Sequence, residues 1–437
     1  MKNYLEIKKT IKSFRKNISV EGDKSISIRW VLLSSLSKKK STAYNLLKSE
    51  DVLSALKCIK ILISKIKIKK TKCEIIGIGF KDKFKKNLIL NAGNSGTLGR
   101  LILGLLVNSE NKIKLVGDKS LSKRDFYRIT KPLKKFGVKF YSSYKRLPIV
   151  MKGSKNPKSI NYQEKKGSAQ CKTSIMLAAL KSNGTTKIKA KKSRNHTELL
   201  FKHLKLPITI KKTKRYDLIT VKGVNKIRSI NYNIPGDISS CAFFIVLTIL
   251  SKNSKLIIKN ININPTRFGI IKILKKMNAS IKIINKKNYK GELIGDIIVK
   301  SSKNLKAINC PTKYNTSAID EFLIIFLVAA RAKGVSYFNQ LSELNQKESP
   351  RLIWASKILN YMGIKNTLTK KSIKIYGNPD LVIKKKIIIK TFLKDHRIFM
   401  MSVIAALTFG GDWKIYDLNS INTSFPSFLK KLKYLQQ

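Results

Sequence analysis

Acidic residues are scarce in this chain: 24 Asp and Glu stand against 91 Lys and Arg in 437 residues, a formal net charge of +67. Such an excess points first to nucleic acid. A basic arm and an aromatic-interleaved basic stripe are both lacking, however. The lysines are scattered through every segment together with abundant Ile and Asn, the pattern of an A+T-rich coding bias. This distribution argues against a dedicated nucleic-acid reader and leaves only weak, salt-sensitive adhesion to polyanions. Cysteines number five, far apart, with no C-x-x-C pair, and no histidine lies at metal spacing. A disulfide framework and a zinc site are thereby excluded. A signal core and a membrane-spanning run are missing as well. The segment from Met1 to Lys16 is charged and has no apolar signal core, and no run reaches bilayer-spanning length. A cytoplasmic chain with reduced thiols and no membrane partner is expected.

What the chain does have is a repeat. Six polar clusters each open onto a long apolar run, and anchors at Ser25, Ser95, Ser168, Ser239, Asp320 and His396 are separated by 70, 73, 71, 81 and 76 residues. The runs Leu98 to Val107, Thr173 to Leu180, Cys241 to Leu250, Phe322 to Ala330 and Ile398 to Leu407 read as buried helices. Between them lie β-branched strands such as Leu256 to Lys259, Ile281 to Ile284, Ile297 to Lys300 and Ile373 to Tyr376. Units of this period must bury an apolar face against one another, so six divide most simply into three plus three. The expectation is an α/β (α+β) chain of two similar domains, residues 20–234 and residues 1–19 plus 235–437. Six helix N-termini with free N–H groups and partial positive charge would suit a substrate carrying several negative charges.

The first cluster, Gly22-Asp23-Lys24-Ser25-Ile26-Ser27-Ile28-Arg29, places a Lys, two hydroxyls and an Arg at the mouth of a helix, ingredients that suit a phosphate or carboxylate. A Gly-Asp turn with a Ser N-cap is also an ordinary helix start. The second, Asn91-Ala92-Gly93-Asn94-Ser95-Gly96-Thr97 followed by Arg100, has the small residues that allow close backbone approach to an anion. Further along come Gly117-Asp118-Lys119-Ser120-Leu121-Ser122-Lys123-Arg124, Ser168-Ala169-Gln170-Cys171-Lys172 and Ser193-Arg194-Asn195-His196-Thr197-Glu198. The second half adds Pro235-Gly236-Asp237, Asn264-Pro265-Thr266-Arg267, Ile319-Asp320-Glu321, Lys347-Glu348-Ser349-Pro350-Arg351 and Asp395-His396-Arg397.

In this order, and over essentially the whole chain, these motifs resemble the 5-enolpyruvylshikimate-3-phosphate synthase family of enolpyruvyl transferases. The resemblance implies a two-domain inside-out α/β barrel. Each domain would hold three βαβαββ repeats with buried helices and outward sheets, and the helix N-termini would face an interdomain cleft. It implies transfer of the enolpyruvyl group of phosphoenolpyruvate to the 5-hydroxyl of shikimate 3-phosphate by addition and elimination, with no metal or cofactor. It further implies a monomer with small-molecule partners only. Among the residues, it makes Asp320 the proton acceptor, Glu348 the proton donor and Lys24 a third catalytic group. Lys24, Gly96, Arg124, Gln170, Arg351 and Arg397 match phosphoenolpyruvate-binding positions. Lys24, Ser25, Arg29, Ser168, Ala169, Gln170, Ser193, Arg194, Asp320 and Lys347 match positions around shikimate 3-phosphate. Planar guanidinium forks suit the donor's phosphate and carboxylate.

Asp320 is expected to begin a helix, where a carboxylate would otherwise be only an N-cap. Lys347 and Arg351 favour the ionised form of Glu348, so its service as a donor requires removal of water. His396 reads as a hydrogen-bonding structural residue rather than an acid or base. Several residues depart from the family pattern: Glu21, Ile28, Asp125, Asn195, Asn345 where Arg is usual, Pro350 and Thr423. Ser349 as N-cap with Pro350 at the first helical position would accommodate one of them. For glyphosate, an anion that occupies the phosphoenolpyruvate site, the resemblance points both ways: Ser168-Ala169-Gln170-Cys171-Lys172, His196-Thr197-Glu198 and Asn264-Pro265-Thr266-Arg267 resemble a tolerant subgroup, whereas Gly96 leaves room for the inhibitor, and intermediate sensitivity is expected. Two rivals remain. A UDP-N-acetylglucosamine enolpyruvyl transferase would carry a reactive Cys before the position of Arg124, and residues 111–125 contain none. An inactive basic polyanion-binding protein would release no phosphate.

Overall fold

The computed structural model describes residues 3–62, 64–69, 72–80, 87–142 and 144–437. The chain divides into two compact units: Met1–Glu21 with Pro235–Asn288 and Leu293–Gln437, and Gly22–Ile234 with Tyr289–Glu292. These bounds differ from the expected ones at residues 20–21 and at the hairpin tip Tyr289–Glu292. The tip counts with the second unit because His196 Nδ1 and Glu292 Oε1 meet there at 2.7 Å, both side chains fully buried.

Six buried helices follow the six clusters: α1 (Lys24–Ser34), α2 (Gly96–Leu105), α3 (Ala169–Leu180), α4 (Ile238–Leu250), α5 (Phe322–Arg331) and α6 (His396–Phe409). Each repeat adds a second helix, for example Glu50–Ile61 or Arg351–Tyr361, with one face buried. The first three core helices sit in the apolar core of the second unit and the last three in that of the first. Since α4 is apolar on every side, it can only lie in a core. Its Phe244 ring stacks edge-on against Phe425 at 5.8 Å, and burying one such ring stabilises by roughly 1.5–3 kcal/mol. Close helix packing elsewhere requires glycine: a Cβ on Gly104 of α2 would stand 2.1 Å from the carbonyl oxygen of Ser174 on α3.

The sheets repeat as the helices do. In the second unit three four-stranded sheets share one pattern, a parallel pair followed by two antiparallel neighbours; Asn161–Glu164, Thr185–Lys191, Tyr216–Lys222 and Ile208–Lys212 form one of them. Along Thr185–Lys191, Thr186, Ile188 and Ala190 are buried while the lysines face outward, the alternation of a sheet with one covered face. In this strand the lysines fall on the outward face. In the first unit, one sheet has four strands and two have three, and parallel bridges Lys306–Lys333 and Asn309–Tyr337 run alongside the strand Gly334–Phe338 of one of the smaller sheets. Among the described residues no helix is long and apolar enough to cross a membrane.

Candidate active site

The helix N-termini are less open than their sequence implies. Carboxylates cap three of them: Asp23 accepts from the N–H of Ile26, Asp237 from Ser239 and Asp395 from Arg397, at 2.8–2.9 Å. Ser95 and Ser168 cap α2 and α3 through the N–H groups of Leu98 and Cys171. Six free, positive helix ends are therefore a misreading for five of the six: a capping side chain takes one N–H group in each, and three of these caps bring negative charge, while Glu321 at the start of α5 makes no capping hydrogen bond. Positive charge in the site comes instead from side chains.

In the second unit, Lys24 opens α1 and extends its Nζ to Asp51 Oδ2 at 2.8 Å. Ser25 follows it, half-buried, and its carbonyl accepts from Arg29 Nη1. Arg29 is buried, donating from Nε to Thr197 Oγ1 (2.8 Å) and from Nη2 to Thr173 Oγ1 (3.2 Å). Burial pushes its guanidinium down to about 10, against the opposing pull of Glu198 and Asp23, and the nearby Arg194 adds to the lowering. It stays charged at neutral pH. Glu198 in turn forms a buried ion pair with Lys172 at 2.5 Å. Ser193 lies just before Arg194, and its buried hydroxyl finds no hydrogen-bond partner among the described residues.

A second group in the same unit surrounds Gly96. Arg124 Nη2 donates to Asn94 Oδ1 (2.8 Å) and Ser120 Oγ (3.2 Å), and Asn94 is itself held by Asp118. Arg100 Nη1 donates to Gln170 Oε1 at 2.6 Å, and the Gln170 amide continues to Thr97 Oγ1 at 3.0 Å. A Cβ on Gly96 would stand 3.2 Å from both Arg100 Nη1 and Arg124 Nη1, so this glycine lies directly against two guanidinium ends. Ser168 and Ala169, at the start of α3, precede Gln170 and share its turn.

In the first unit, one arginine gathers three carboxylates. Arg351 Nε and Nη2 contact Asp395, its Nη2 meets Glu348 Oε2 at 2.5 Å, and its Nη1 stands 3.6 Å from Asp320 Oδ1. Lys347 Nζ lies 3.4 Å from the same Asp320 oxygen. The carbonyl of Asp320 accepts from Arg397 Nη1 at 2.6 Å. Asp320, Lys347, Glu348, Arg351 and Arg397 therefore form a single cluster.

Two local expectations need correction. Asp320 does not begin a helix: it sits in the turn before α5, and Glu321 is the N-cap residue. Nor does Ser349 cap the helix Arg351–Tyr361. Its hydroxyl donates to Asp395 Oδ2, while Asn345 Oδ1 accepts from the N–H of Leu352 at 3.1 Å. Asn345, where an Arg was expected, thus closes the helix start from the preceding turn. His396 is buried, with Nδ1 at 3.1 Å from Thr423 Oγ1. Sequence reasoning missed Asp51, Thr97, Thr173, Thr197 and Asp395 as partners. Only Asp395, adjacent to His396-Arg397, carried a local signal as a helix cap.

The model of the EPSP synthase (3-phosphoshikimate 1-carboxyvinyltransferase) family matches residues 8–432. A 3-phosphoshikimate 1-carboxyvinyltransferase of Caldicellulosiruptor bescii is 39% identical over 416 residues, covering 94% of each chain. Its counterpart from Ruthia magnifica is 37% identical over 414 residues, covering 94% of this chain and 93% of that one. The solved EPSP synthase of Acinetobacter baumannii superposes with a TM-score of 0.86 at 32% identity, over 98% of this chain and 97% of that one. A match of this length, with the cation and carboxylate clusters in place, means that the chain belongs to the EPSP synthase (3-phosphoshikimate 1-carboxyvinyltransferase) family.

Proposed function

We propose a division of labour among these residues for the reaction of this family, transfer of the enolpyruvyl group of phosphoenolpyruvate to the 5-hydroxyl of shikimate 3-phosphate. The observation that carries it is the Arg351 cluster. Asp320 lies 3.4 Å from Lys347 Nζ and 3.6 Å from Arg351 Nη1, and Glu348 reaches the same guanidinium, so the two carboxylates stand together among the cations that would face an anionic donor. Asp320 takes the proton of the 5-hydroxyl as its oxygen bonds to C2 of phosphoenolpyruvate, and Glu348 supplies the proton gained by C3. The adduct then breaks the C2–O bond to the phosphate, the C3 proton returns to Glu348, and the proton held by Asp320 leaves with the phosphate. Positioned acids and bases of this kind contribute about 100-fold or more each.

Lys24, Arg124, Arg351 and Arg397 neutralise the phosphate and carboxylate of the donor, with Gly96 and Gln170 beside them. Ser25, Arg29, Ser168, Ala169, Gln170, Ser193, Arg194 and Lys347 hold shikimate 3-phosphate. Supporting this half is the cost of burying Arg29, which an anionic partner would repay. Several contacts now made within the protein, such as Lys24 with Asp51, exchange for contacts with substrate. The reading includes a cytoplasmic monomer, a compartment that suits five buried free thiols. Phosphate release measured with shikimate 3-phosphate and phosphoenolpyruvate tests it. Release only with a nucleotide-sugar acceptor, or no release at all, would refute it.

A further inference from the structure

The Asn264-Pro265-Thr266-Arg267 run takes no part in these assignments, yet it is built with care. Asn262 Oδ1 accepts from the N–H of Asn264 (2.9 Å), and Asn264 Oδ1 accepts from both the N–H (2.9 Å) and the hydroxyl (2.7 Å) of Thr266. The Arg267 N–H closes the turn on the Asn264 carbonyl at 2.8 Å. This folded turn sends the Arg267 side chain, only 2% exposed, into the interior. There Nη2 donates to Asp237 Oδ1 at 3.1 Å and to Ser239 Oγ at 2.5 Å. The Ser239 hydroxyl passes the contact on, donating to Oε1 of the fully buried Glu321. Glu321 is the immediate neighbour of Asp320. The same segment also lies close to the short helix Asn315–Ala318 that leads into Asp320: a Cβ on Gly269 would stand 2.4 Å from Ser317 Oγ and 2.9 Å from Ala318 Cβ.

We propose that Arg267, Ser239 and Glu321 are positioning residues that fix the backbone at Asp320. A buried carboxylate tied through a hydroxyl to a buried guanidinium has little freedom to shift, since displacement weakens the pairing of charges that are shielded from bulk solvent. With Glu321 anchored and the Asp320 carbonyl held by Arg397, the Asp320 carboxylate keeps its place 3.4 Å from Lys347 and 3.6 Å from Arg351. A misplacement of about 1 Å at a reacting group costs on the order of 100-fold in rate. The inference rests on Asp320 acting as the proton acceptor.

A double-mutant cycle on turnover separates positioning from bulk stability. Ser239→Ala is expected to lower kcat by about 10-fold or more while shikimate 3-phosphate binding, measured without phosphoenolpyruvate, changes less than about twofold. In an Asp320→Ala background the same substitution should change the residual rate by less than about twofold, because nothing is left to position. Glu321→Gln, run through the same cycle, provides a second variant if Ser239→Ala folds poorly. An unchanged kcat in these variants, or an equal loss in both backgrounds, would overturn the proposal. Full activity in Asp320→Ala alone would instead overturn the assignment of Asp320, and the positioning role with it.

Discussion

Arg351 and Asp395 face each other with two contacts, Nε to Oδ2 at 2.9 Å and Nη2 to Oδ1 at 3.2 Å, both side chains almost wholly buried. Burial pushes the Asp395 carboxyl up and the Arg351 guanidinium down; Arg351 with His396 outweighs the first effect, and Asp395 with Glu348 and Asp320 the second. Asp395 ends below its ordinary value and Arg351 above. The two are bound as a unit, and the planar fork is left with Nη1 and part of Nη2 for Asp320, Glu348 and an anionic substrate.

Removing one partner of that pair should therefore be costly. Asp395→Asn is expected to lose about 3–5 kcal/mol of stability at neutral pH, because a buried guanidinium loses its counter-charge. The sign with pH follows from the lowered carboxyl. Its contribution is present above the unfolded value of about 4 and disappears as pH falls through the lower folded value. Urea titrations of both proteins should show the difference narrowing only below about pH 4. A constant difference down to pH 2 would mean that the ionised Asp395 is not its source.

Asp320→Ala and Glu348→Ala should each reduce turnover about 100-fold or more with the fold intact. Neither side chain is packed in an apolar core; Asp320 is 16% and Glu348 20% exposed at the side chain. Circular dichroism and phosphate release on the same preparations check both halves of the statement. A rate within a few-fold of the parent would remove that carboxylate from the proton-transfer scheme.

The five thiols should be inert in the native protein. Burial pushes Cys58 and Cys171 up to about 12, Cys73 and Cys310 up to about 11, and Cys241 well above the ordinary thiol value. Thiolate, the reactive form, is then negligible at pH 8. Ellman's reagent should find no fast thiol until denaturant is added, and then five. One rapid equivalent without denaturant would show a cysteine near the surface.

The repeats were legible because they are written in the two properties sequence displays best, apolar periodicity and polar punctuation. Runs such as Cys241 to Leu250 fall inside α4, and Ile373 to Tyr376 lies within the strand Ile373–Gly377. Of the residues with carried-over roles, Lys24, Ser25, Arg29, Gly96, Ser168, Ala169, Gln170, Asp320 and Arg397 lie at or just inside the openings of the six core helices, while Arg124, Ser193, Arg194, Lys347, Glu348 and Arg351 lie on the turns and shorter helices between them. What escaped was partnership across distance. Asp51 meets Lys24 from the next helix, Thr197 meets Arg29 from 168 residues away, and Asn345 caps a helix from seven residues upstream of Leu352. Such pairings depend on how repeats stack, which no local pattern encodes. Ser349 failed as a cap for a related reason. Its hydroxyl had a stronger acceptor in the Asp395 carboxylate, invisible until the fold brings residues 46 apart together.

Gly96→Ala tests the donor pocket with one methyl group. The added Cβ would lie 3.2 Å from Arg100 Nη1 and Arg124 Nη1 and 3.7 Å from Leu121 Cδ1, so the two guanidinium ends must retreat by a few tenths of an ångström. Both are tethered, Arg124 by Asn94 and Ser120, Arg100 by Gln170 and the Asp125 carbonyl, and the retreat strains those contacts. Phosphoenolpyruvate binding should weaken, by about 1–3 kcal/mol at most for a single methyl in a tight site. Glyphosate, if it occupies the same pocket, must also make room for that methyl, and its affinity should fall by more than that of the donor. Steady-state inhibition measured on parent and variant gives both constants at once. An unchanged inhibition constant would place Gly96 outside the pocket. A loss equal for donor and inhibitor would mean that the methyl acts only through the displaced arginines.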